Sequence, residues 1–407
     1  MNATPLIVAA LGRYRYSALA FVLLVAAGVT LVVAILSQER ALRQGSARAA
    51  DRFALIVAPP GSRTDALLTG VFLRPGSSQL LTPALTARLL AEPRAAFVSP
   101  LAFGDSHRGA PVVGVAPALV EHLSGTLAEG RVFAARGEAV VGAASALRVG
   151  EHFSPAHGVH QGGAAHGGDD ALDAHDVELT VVGRMRATGS PWDRAVVVPV
   201  ETVWSLHGLP EGHPPGSTQV GPPWDAAHTP GVPAAVVQPR QLADAYRLRS
   251  AYTGLESMAF FPAEALIQLY AVLGDMRELM SLLALVTQAL VLLSVLASVL
   301  ILLRLLLPQF VTLRALGAPR AYVFLVAWGF SAVLITGGVI LGLVGGRALS
   351  GAISLWLASL TGVSLAPTLG ATEWLLALAI LAIGWILAAI PAWRVQRLDL
   401  AAAMKAY

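Results

Sequence analysis

The chain has 407 residues, of which 55% are hydrophobic and only 13% are charged. Soluble domains have about 25% charged residues, so this composition indicates a membrane protein that also carries a sizeable polar region. The formal net charge of +3, without a basic cluster interleaved with aromatic residues, argues against nucleic acid as a partner. The absence of cysteine excludes disulfides, thiolate metal ligands and cysteine nucleophiles.

Four apolar segments are each long enough to cross a bilayer, which takes about 20 helical residues. In chain order they are residues 18–36, 276–307 (with the end of a stalk helix), 321–344 and 374–390. Arginines lie before the first segment, between the second and third, and after the fourth. The positive-inside rule therefore places three parts of the chain in the cytoplasm: the N-terminal segment 1–17, the segment 308–320 and the C-terminal tail 391–407.

The segments that lie between these spans on the other side are residues 37–275 and 345–373. The shorter one is expected to be a loop. The longer one mixes helix and strand patterns and predicts an α/β platform over about 37–115 and 235–275, with a β-rich insertion at about 116–234. The predicted fold is an α-helical membrane protein with four transmembrane helices and a large α/β extracytoplasmic domain between helices 1 and 2.

Several catalytic and transport motifs are missing from the sequence. A Walker A loop needs a lysine after its second glycine, and Lys405 is the only lysine. There is no G-x-S-x-G or H-E-x-x-H motif, and the apolar spans, the second of which begins near Leu279 after the stalk end, carry no carboxylate for an ion relay. The chain is therefore not expected to be a conventional P-loop ATPase, and no motif indicates another enzymatic activity.

Residues 308–320, between the second and third spans, predict a short amphipathic helix with a defined end. Leu313 and Leu316 are spaced to share one face, Arg314 and Arg320 can remain with water or lipid phosphate, and Pro319 disfavours helix at the residue before it. An ordinary cytoplasmic loop is the simpler alternative.

Together with the apolar spans, "LRALGAPRAYVF", the stalk-like "LYAVLGDMRELMSLLALV" and the C-terminal "PAWRVQRLDLAAAMKAY" resemble the MacB, FtsX and LolC/LolE permeases of type VII ABC transporters. The resemblance implies a bacterial inner-membrane protein with both termini in the cytoplasm and a periplasmic domain. It also implies a cytoplasmic ATPase dimer, a second permease copy or a paralogue, and mechanotransmission in place of a transport channel. The cargo or target could be a lipoprotein, a peptide or a periplasmic protein, with or without an adaptor. The residues implied to contact the ATPase are Leu313, Arg314, Ala315, Leu316, Gly317, Ala318, Pro319 and Arg320.

All ten histidines lie between His107 and His228, and the densest group is "EHFSPAHGVHQGGAAHGGDDALDAHD". Imidazole and carboxylate groups suit zinc, with nickel or copper as alternatives. The expected ligands are His157 and His160, completed by His166 or His175. A polar hairpin tip without metal, and a pH sensor, are the competing interpretations. If metal binding is the main role, the chain is a metal-binding membrane receptor or scaffold without ATP-driven motion, and the two roles can also combine in metal homeostasis.

Overall fold

The computed structural model describes residues 2–74, 79–157, 175, 177–272 and 274–396. They belong to two compact units. The helical unit comprises Met1–Leu42, Gly274–Trp356 and Ala366–Tyr407, and the α/β unit comprises Arg43–Leu273 and Leu357–Leu365.

Eleven helices lie in the described part of the chain. Their bounds are α1 Thr4–Arg13, α2 Arg15–Ala50, α3 Arg63–Gly70, α4 Pro83–Leu90, α5 Pro117–Ser124, α6 Val200–Leu206, α7 Leu242–Ala251, α8 Pro262–Val272, α9 Gly274–Ala315, α10 Arg320–Thr361 and α11 Ala371–Gln396.

Eleven strands in the same part of the chain form one mixed sheet. Their bounds are β1 Leu55–Ala58, β2 Ala95–His107, β3 Ala110–Val115, β4 Glu129–Gly130, β5 Glu138–Val141, β6 His152–Phe153, β7 Ala156–His157, β8 Leu179–Arg184, β9 Val196–Pro199, β10 Ala234–Pro239 and β11 Met258–Phe260. The order is β11-β1-β10-β2-β3-β9-β5-β8-β4, with β6 paired to β8 and β7 paired to β2.

The long strand β2 explains why the predicted platform and insertion form one sheet. Its first half pairs with β10, from the expected platform, and its second half pairs with β3. Strand β3 pairs in parallel with β9, which belongs to the region expected to be a separate insertion. The two predicted parts are therefore hydrogen-bonded through one shared strand and belong to one compact unit.

Both faces of this sheet are buried, because alternate residues of a strand point to opposite faces. In β1, Ile56 belongs to one hydrophobic core and its neighbours Leu55 and Val57 belong to the other. Helices α3, α5 and α8 contribute to the first core, and helices α4, α6 and α7 contribute to the second. The α/β unit is thus a three-layer arrangement, which accounts for the wholly buried apolar strands β1 and β9 near its centre.

Two of these helices begin with a side-chain cap that is readable in the sequence. The hydroxyl of Thr82 accepts a hydrogen bond from the backbone N–H of Leu85 at 3.3 Å, and Pro83 occupies the first helical position of α4. The hydroxyl of Ser62 accepts from the N–H of Asp65 at 3.2 Å at the start of α3. Such caps satisfy N–H groups that have no partner within the helix.

Among the described residues of the helical unit, α2, α10 and α11 are each long and apolar enough to cross a membrane. Helix α9 contains two apolar pieces, Leu285–Ile301 and Leu306–Ala315, which meet at an angle of 50° and would together form a fourth such element. Pro308 explains the bend, because it lacks an N–H and its ring displaces the carbonyl of residue 304.

Three glycines of α10 allow close packing between α10 and α2. Gly338, Gly342 and Gly346 recur every four residues, and a β-carbon at each would lie 2.5–2.6 Å from the Cβ atom of a valine of α2. The valines are Val25, Val29 and Val33. The hydroxyl of Thr30 also donates to the carbonyl of Gly342 at 3.2 Å. This small-residue stripe lets two backbones approach, as is common between membrane helices.

Several helices extend beyond their predicted bounds. The first predicted span, 18–36, lies inside α2, and the fourth, 374–390, lies inside α11. Residues 345–373, expected to be a loop, are helical as far as Thr361. The next residue, Gly362, ends helix α10. It has a φ of 73°, and its N–H bonds to the carbonyl of Ala358 at 2.9 Å. The last eleven residues of the predicted tail lie outside the described residues.

Candidate functional site

The predicted coupling segment, residues 308–320, is the end of one helix, a tight turn and the start of the next. Helix α9 ends at Ala315, and Gly317 has a φ of 90°. The N–H of Ala318 bonds to the carbonyl of Leu313 at 3.0 Å, and the N–H of Gly317 bonds to that of Arg314 at 3.1 Å. This pair of bonds is a Schellman motif, in which glycine takes the left-handed position that ends a helix.

Pro319 follows this motif and directly precedes helix α10. Its carbonyl accepts a hydrogen bond from the N–H of Tyr322 at 3.0 Å. The sequence identified Pro319 as the residue that ends the segment, but the helix already ends before Gly317. The glycine is therefore the stop, and the proline sets the start of α10.

The turn exposes one of its two leucines. Leu316 follows the last helical residue and is 81% exposed, whereas Leu313 is partly buried against the core of the helical unit. Arg314 donates through Nη1 to the carbonyl of Ala318 at 3.2 Å, and Arg320 is exposed. The two leucines thus do not share an outward face, because the chain leaves the helix between them. The assignment of an ATPase contact to residues 313–320 stays a prediction.

A buried ion pair connects α2 and α11 within the helical unit. The Nη2 atom of Arg40 lies 2.8 Å from Oε2 of Glu373, whose side chain is completely buried. Glu373 also accepts from the hydroxyl of Ser37 at 3.3 Å and from the N–H of Gly370 at 2.9 Å. Glu373 falls within the predicted loop 345–373, but it belongs to the first turn of α11. Because both charges are hydrogen-bonded, this pair fixes the start of α11 against α2.

The second candidate site is a cluster of three histidines and one aspartate in the α/β unit. Asp105, His157, His175 and His207 each offer one ligand atom, and these four atoms all lie within 4.8 Å of one another. The Oδ1 atom of Asp105 lies 2.9 Å from Nε2 of His175, 3.5 Å from Nδ1 of His157 and 3.8 Å from Nε2 of His207. Such a set of nitrogen and oxygen donors suits zinc.

Sheet pairing brings the first two members together. Asp105 of β2 lies directly opposite His157 of β7 in an antiparallel pair. The pairing of β2 with β3 shifts register between Ala102 and Asp105. An irregularity of this kind redirects side chains at the edge of a sheet. It places the Asp105 carboxylate among the imidazoles, in a position without solvent exposure.

The other two members come from a helix end and from a later connection. His207 is the C-cap of α6, and its Nδ1 lies 2.9 Å from the carbonyl of Val203. A β-carbon at Gly104 would lie 2.5 Å from Nε2 of His207, so only glycine leaves room for this ring. The N–H of His175 donates to the carbonyl of Pro155 at 2.9 Å, which holds this residue beside β7.

Two of the four ligands predicted from the sequence belong to this cluster, namely His157 and His175. His160 and His166 lie outside the described residues. Asp105 and His207 are not among the predicted ligands, and they lie 52 residues before and 50 residues after His157 in the chain. Only the strand pairing and the position of α6 bring these residues close to His157.

Other histidines in the α/β unit bond to nearby structural groups. His122 Nε2 lies 2.8 Å from the carbonyl of Arg52, and His228 Nδ1 lies 2.8 Å from a carboxylate oxygen of Asp225. His213 is buried 3.5 Å from Oε1 of Glu201, which also accepts from the N–H of Gly221 at 2.8 Å. Within the described residues, Asp105 and its three histidines form the one group with metal-ligand spacing.

Comparison with known proteins concerns the C-terminal part of the chain. Residues 281–400 match the family model described as FtsX-like permease C-terminal. No curated protein matches the chain. The matched residues include all of α10 and α11, most of α9, and all of the segment 308–320.

This match, together with the long apolar helices, supports an ABC transporter permease and therefore a membrane protein. Members of the FtsX-like permease family are generally non-enzymatic transmembrane subunits, and the family implies a partner ABC ATPase. Residues Arg43–Leu273, which make up nearly all of the α/β unit, lie outside the match, so the role of this unit has to be argued from its own residues.

Proposed function

We propose that this chain is the permease subunit of an ATP-driven complex of the MacB, FtsX and LolC/LolE type, and that it transmits ATPase motion to its α/β unit. The observation that carries the proposal is the family match over residues 281–400, because it includes the whole predicted coupling segment. In this proposal the complex contains two permease copies and a cytoplasmic ATPase dimer. The cargo is a lipoprotein, a peptide or a periplasmic protein.

The turn at residues 316–319 is the proposed contact for the ATPase. Leu316 presents an exposed apolar side chain there, and Arg320 adds an exposed positive charge. An apolar residue flanked by charge can enter a groove on a partner and pair with acidic groups at its rim. The Schellman motif holds the turn in one conformation, so a force on Leu316 reaches both α9 and α10.

A rigid helical unit is needed to carry such motion. The close packing of α10 on α2, together with the ion pair between Arg40 and Glu373, supports this requirement. Helix α2 continues without a break from Arg15 to Ala50, so its residues belong to both units. A continuous helix is a suitable element for transmitting a displacement along the chain.

The proposed topology has four transmembrane helices, both termini in the cytoplasm and the α/β unit in the periplasm of a bacterial inner membrane. The bent helix α9 is then one span, and the turn at Leu316 faces the cytoplasm. Single cysteines can test this directly, because the chain contains none. In cells with a permeabilised outer membrane, an impermeant maleimide should label Leu255→Cys, which is 99% exposed, and should leave Leu316→Cys unlabelled until the inner membrane is opened.

The function is tested by replacing Leu316 with aspartate in the complex. Leu316→Asp should abolish copurification of the ATPase, or uncouple ATP hydrolysis from the permease, because a charge enters an apolar contact. Leu255→Asp, on the equally exposed surface of the α/β unit, is the matched control and should behave as wild type. Normal assembly and normal coupling in Leu316→Asp would contradict the proposed contact.

The histidine cluster favours a second candidate function, a metal-binding membrane receptor or scaffold without ATP-driven motion. Its supporting observation is the proximity of the four donor atoms of Asp105, His157, His175 and His207. The two candidates differ in whether an ATPase copurifies with the chain. An ATPase that copurifies and metal that binds to the cluster would combine both in an ATP-driven complex that serves metal homeostasis.

A further inference from the structure

We infer that Asp105, His157, His175 and His207 form a four-coordinate zinc site that ties the end of α6 to the edge of the sheet. The inference deepens the metal link in the proposed function, but it does not depend on an ATPase. It replaces the ligand set expected from the sequence by one assembled from four separate parts of the chain.

The distances suit a small divalent ion. Four donor atoms at about 2.1 Å from one ion in a tetrahedron lie about 3.4 Å from each other. The three histidine nitrogens lie 2.9, 3.5 and 3.8 Å from Oδ1 of Asp105, on either side of this value. The ring centroids of His157 and His175 are 4.0 Å apart. Small side-chain rotations are therefore enough to complete the coordination.

The buried carboxylate of Asp105 lacks a full set of partners. Its side chain has no solvent exposure, and its Oδ2 atom has no hydrogen-bond partner among the described residues. A buried, incompletely paired carboxylate is costly unless a positive charge compensates it. A zinc ion beside Asp105 supplies that charge, and it explains why one carboxylate lies among three imidazoles.

The tautomer of His207 is already set for coordination. Because its Nδ1 faces the carbonyl of Val203 at 2.9 Å, the proton lies on Nδ1 and the lone pair on Nε2. It is Nε2 that points at Asp105, at 3.8 Å. A backbone carbonyl that orients a ligating histidine is a common feature of metal centres. The absence of a side chain at Gly104 leaves the space that this ring needs.

The four side chains of the cluster differ in their exposure to solvent, and Asp105 is completely buried. The side chain of His157 is 53% exposed, that of His207 is 27% exposed and that of His175 is 12% exposed. An ion can therefore enter past His157 and bind against the buried carboxylate. Four protein ligands leave no free position on a tetrahedral ion, so the chemistry is that of a structural or sensing site rather than a catalytic one.

The inference is tested on the full chain, purified in detergent and stripped of metal with a chelator. Zinc affinity is measured by competition with a chromogenic chelator, and the coordination number by the d–d absorption of bound Co²⁺. We expect one tight site with the intense spectrum of four-coordinate Co²⁺. Asp105→Asn and His207→Gln should each weaken zinc binding by at least about 100-fold, more than the loss of an outer partner usually costs.

Two controls distinguish this site from the alternatives. The double variant His160→Gln/His166→Gln should retain zinc affinity within about threefold if the cluster is the site, and so should His228→Gln. Thermal unfolding in chelator should be the same for wild type and the control variants, and zinc should raise the melting temperature of the wild type by about 5 °C at 100-fold excess over Kd. Leu316→Asp should bind zinc normally, so failure of the ATPase contact does not affect the result.

The inference is overturned if wild-type protein takes up no zinc, or if Asp105→Asn and His207→Gln bind it as tightly as wild type. It is also overturned if the double variant at His160 and His166 loses the tight site, or if bound Co²⁺ gives the weak spectrum of a six-coordinate ion. If Asp105→Asn unfolds, the zinc affinity of His207→Gln alone tests the inference. His207 lies at a partly exposed helix end, so this substitution should leave the fold intact.

Discussion

The two units of this protein reach close packing in opposite ways. The α/β unit fills both faces of its sheet with large side chains, and Trp192, Trp204 and Phe260 are among its fully buried residues. The helical unit instead uses residues without a side chain at the contact. Gly338, Gly342 and Gly346 of α10 pack against valines of α2. In water, burial of large apolar groups stabilises the fold. In lipid, burial of apolar groups adds little stability, because lipid tails are themselves apolar, and close backbone packing stabilises the helices instead. The stability of the α/β unit should therefore fall when a buried side chain is made smaller. The stability of the helical unit should fall when a side chain is added at a contact between helices.

The largest expected effect is loss of volume in the α/β unit. Trp192 has no solvent exposure, its Nε1 donates to the carbonyl of Val71 at 3.2 Å, and its ring lies 6.0 Å from that of Phe53. Trp192→Ala should lower the free energy of unfolding by about 3–5 kcal/mol. Hydrogen exchange of the full chain should show faster amide exchange in the α/β unit of the variant. Leu255→Ala, at an exposed position, should change nothing measurable.

Added volume in the helical unit should have the next largest effect. A β-carbon at Gly342 would lie 2.5 Å from Cβ of Val29 and 2.9 Å from the carbonyl oxygen of Ala26, so α10 and α2 must separate. Gly342→Ala should cost about 1–3 kcal/mol, seen as a lower melting temperature in detergent. The matched control is Gly337→Ala on the same helix, where a β-carbon meets nothing within 4 Å. Equal stability of the two variants would refute the close-packing explanation.

The smallest expected effect is electrostatic and lies in the α/β unit. The Glu138 carboxylate bonds to Arg131 and accepts from the N–H groups of Ala134 and Ala135 at 2.8 and 3.2 Å. Its hydrogen bond with Arg131, helped by these N–H groups, lowers the pKa of Glu138 to about 2. Glu138 is ionised more readily in the folded state, so its ionised form stabilises the fold. This contribution to the free energy of unfolding is fully present above about pH 4.5 and is lost as the pH falls toward about 2.

Glu138→Gln should accordingly cost about 0.5–1 kcal/mol at pH 7, since the partner arginine is largely exposed. The difference from wild type should shrink between about pH 4.5 and about pH 2. Unfolding curves at a series of pH values measure this, with Glu256→Gln at an exposed position as the control. A difference that stays constant down to pH 2 would show that the ion pair does not stabilise the fold.

The break between α9 and α10 could be predicted from the sequence because its determinants are local, although its position could be predicted only approximately. Arginines, a glycine and a proline between two apolar runs indicate a helix end and a cytoplasmic segment. A closer reading of Gly317 followed two residues later by Pro319 would also have located the stop, since this spacing is typical of a Schellman motif. The glycine repeat of α10 was equally readable, because residues four apart share one helix face.

The histidine cluster could be predicted only in part because its determinants are not local. His157 and His175 belong to one histidine-rich stretch, which drew attention to the region. Asp105 joins them through the pairing of β2 with β7, and His207 through the position of α6 on the sheet. Strand register depends on the whole sheet, so a single sequence does not reveal such partners. For the same reason the long strand β2, which joins the platform to the insertion, was not foreseen.

The central claim, that ATP binding at a partner subunit moves the α/β unit, is tested most directly by spin labels. Because the chain has no cysteine, Leu255→Cys gives one label per copy at a 99% exposed position. Distances between the two labels are measured by pulsed electron paramagnetic resonance in the reconstituted complex, without nucleotide and with ATP bound to a hydrolysis-deficient ATPase. We predict two distinct distance distributions, which Leu316→Asp reduces to one. Identical distributions in a complex shown to contain both permease copies and to bind ATP would contradict the account.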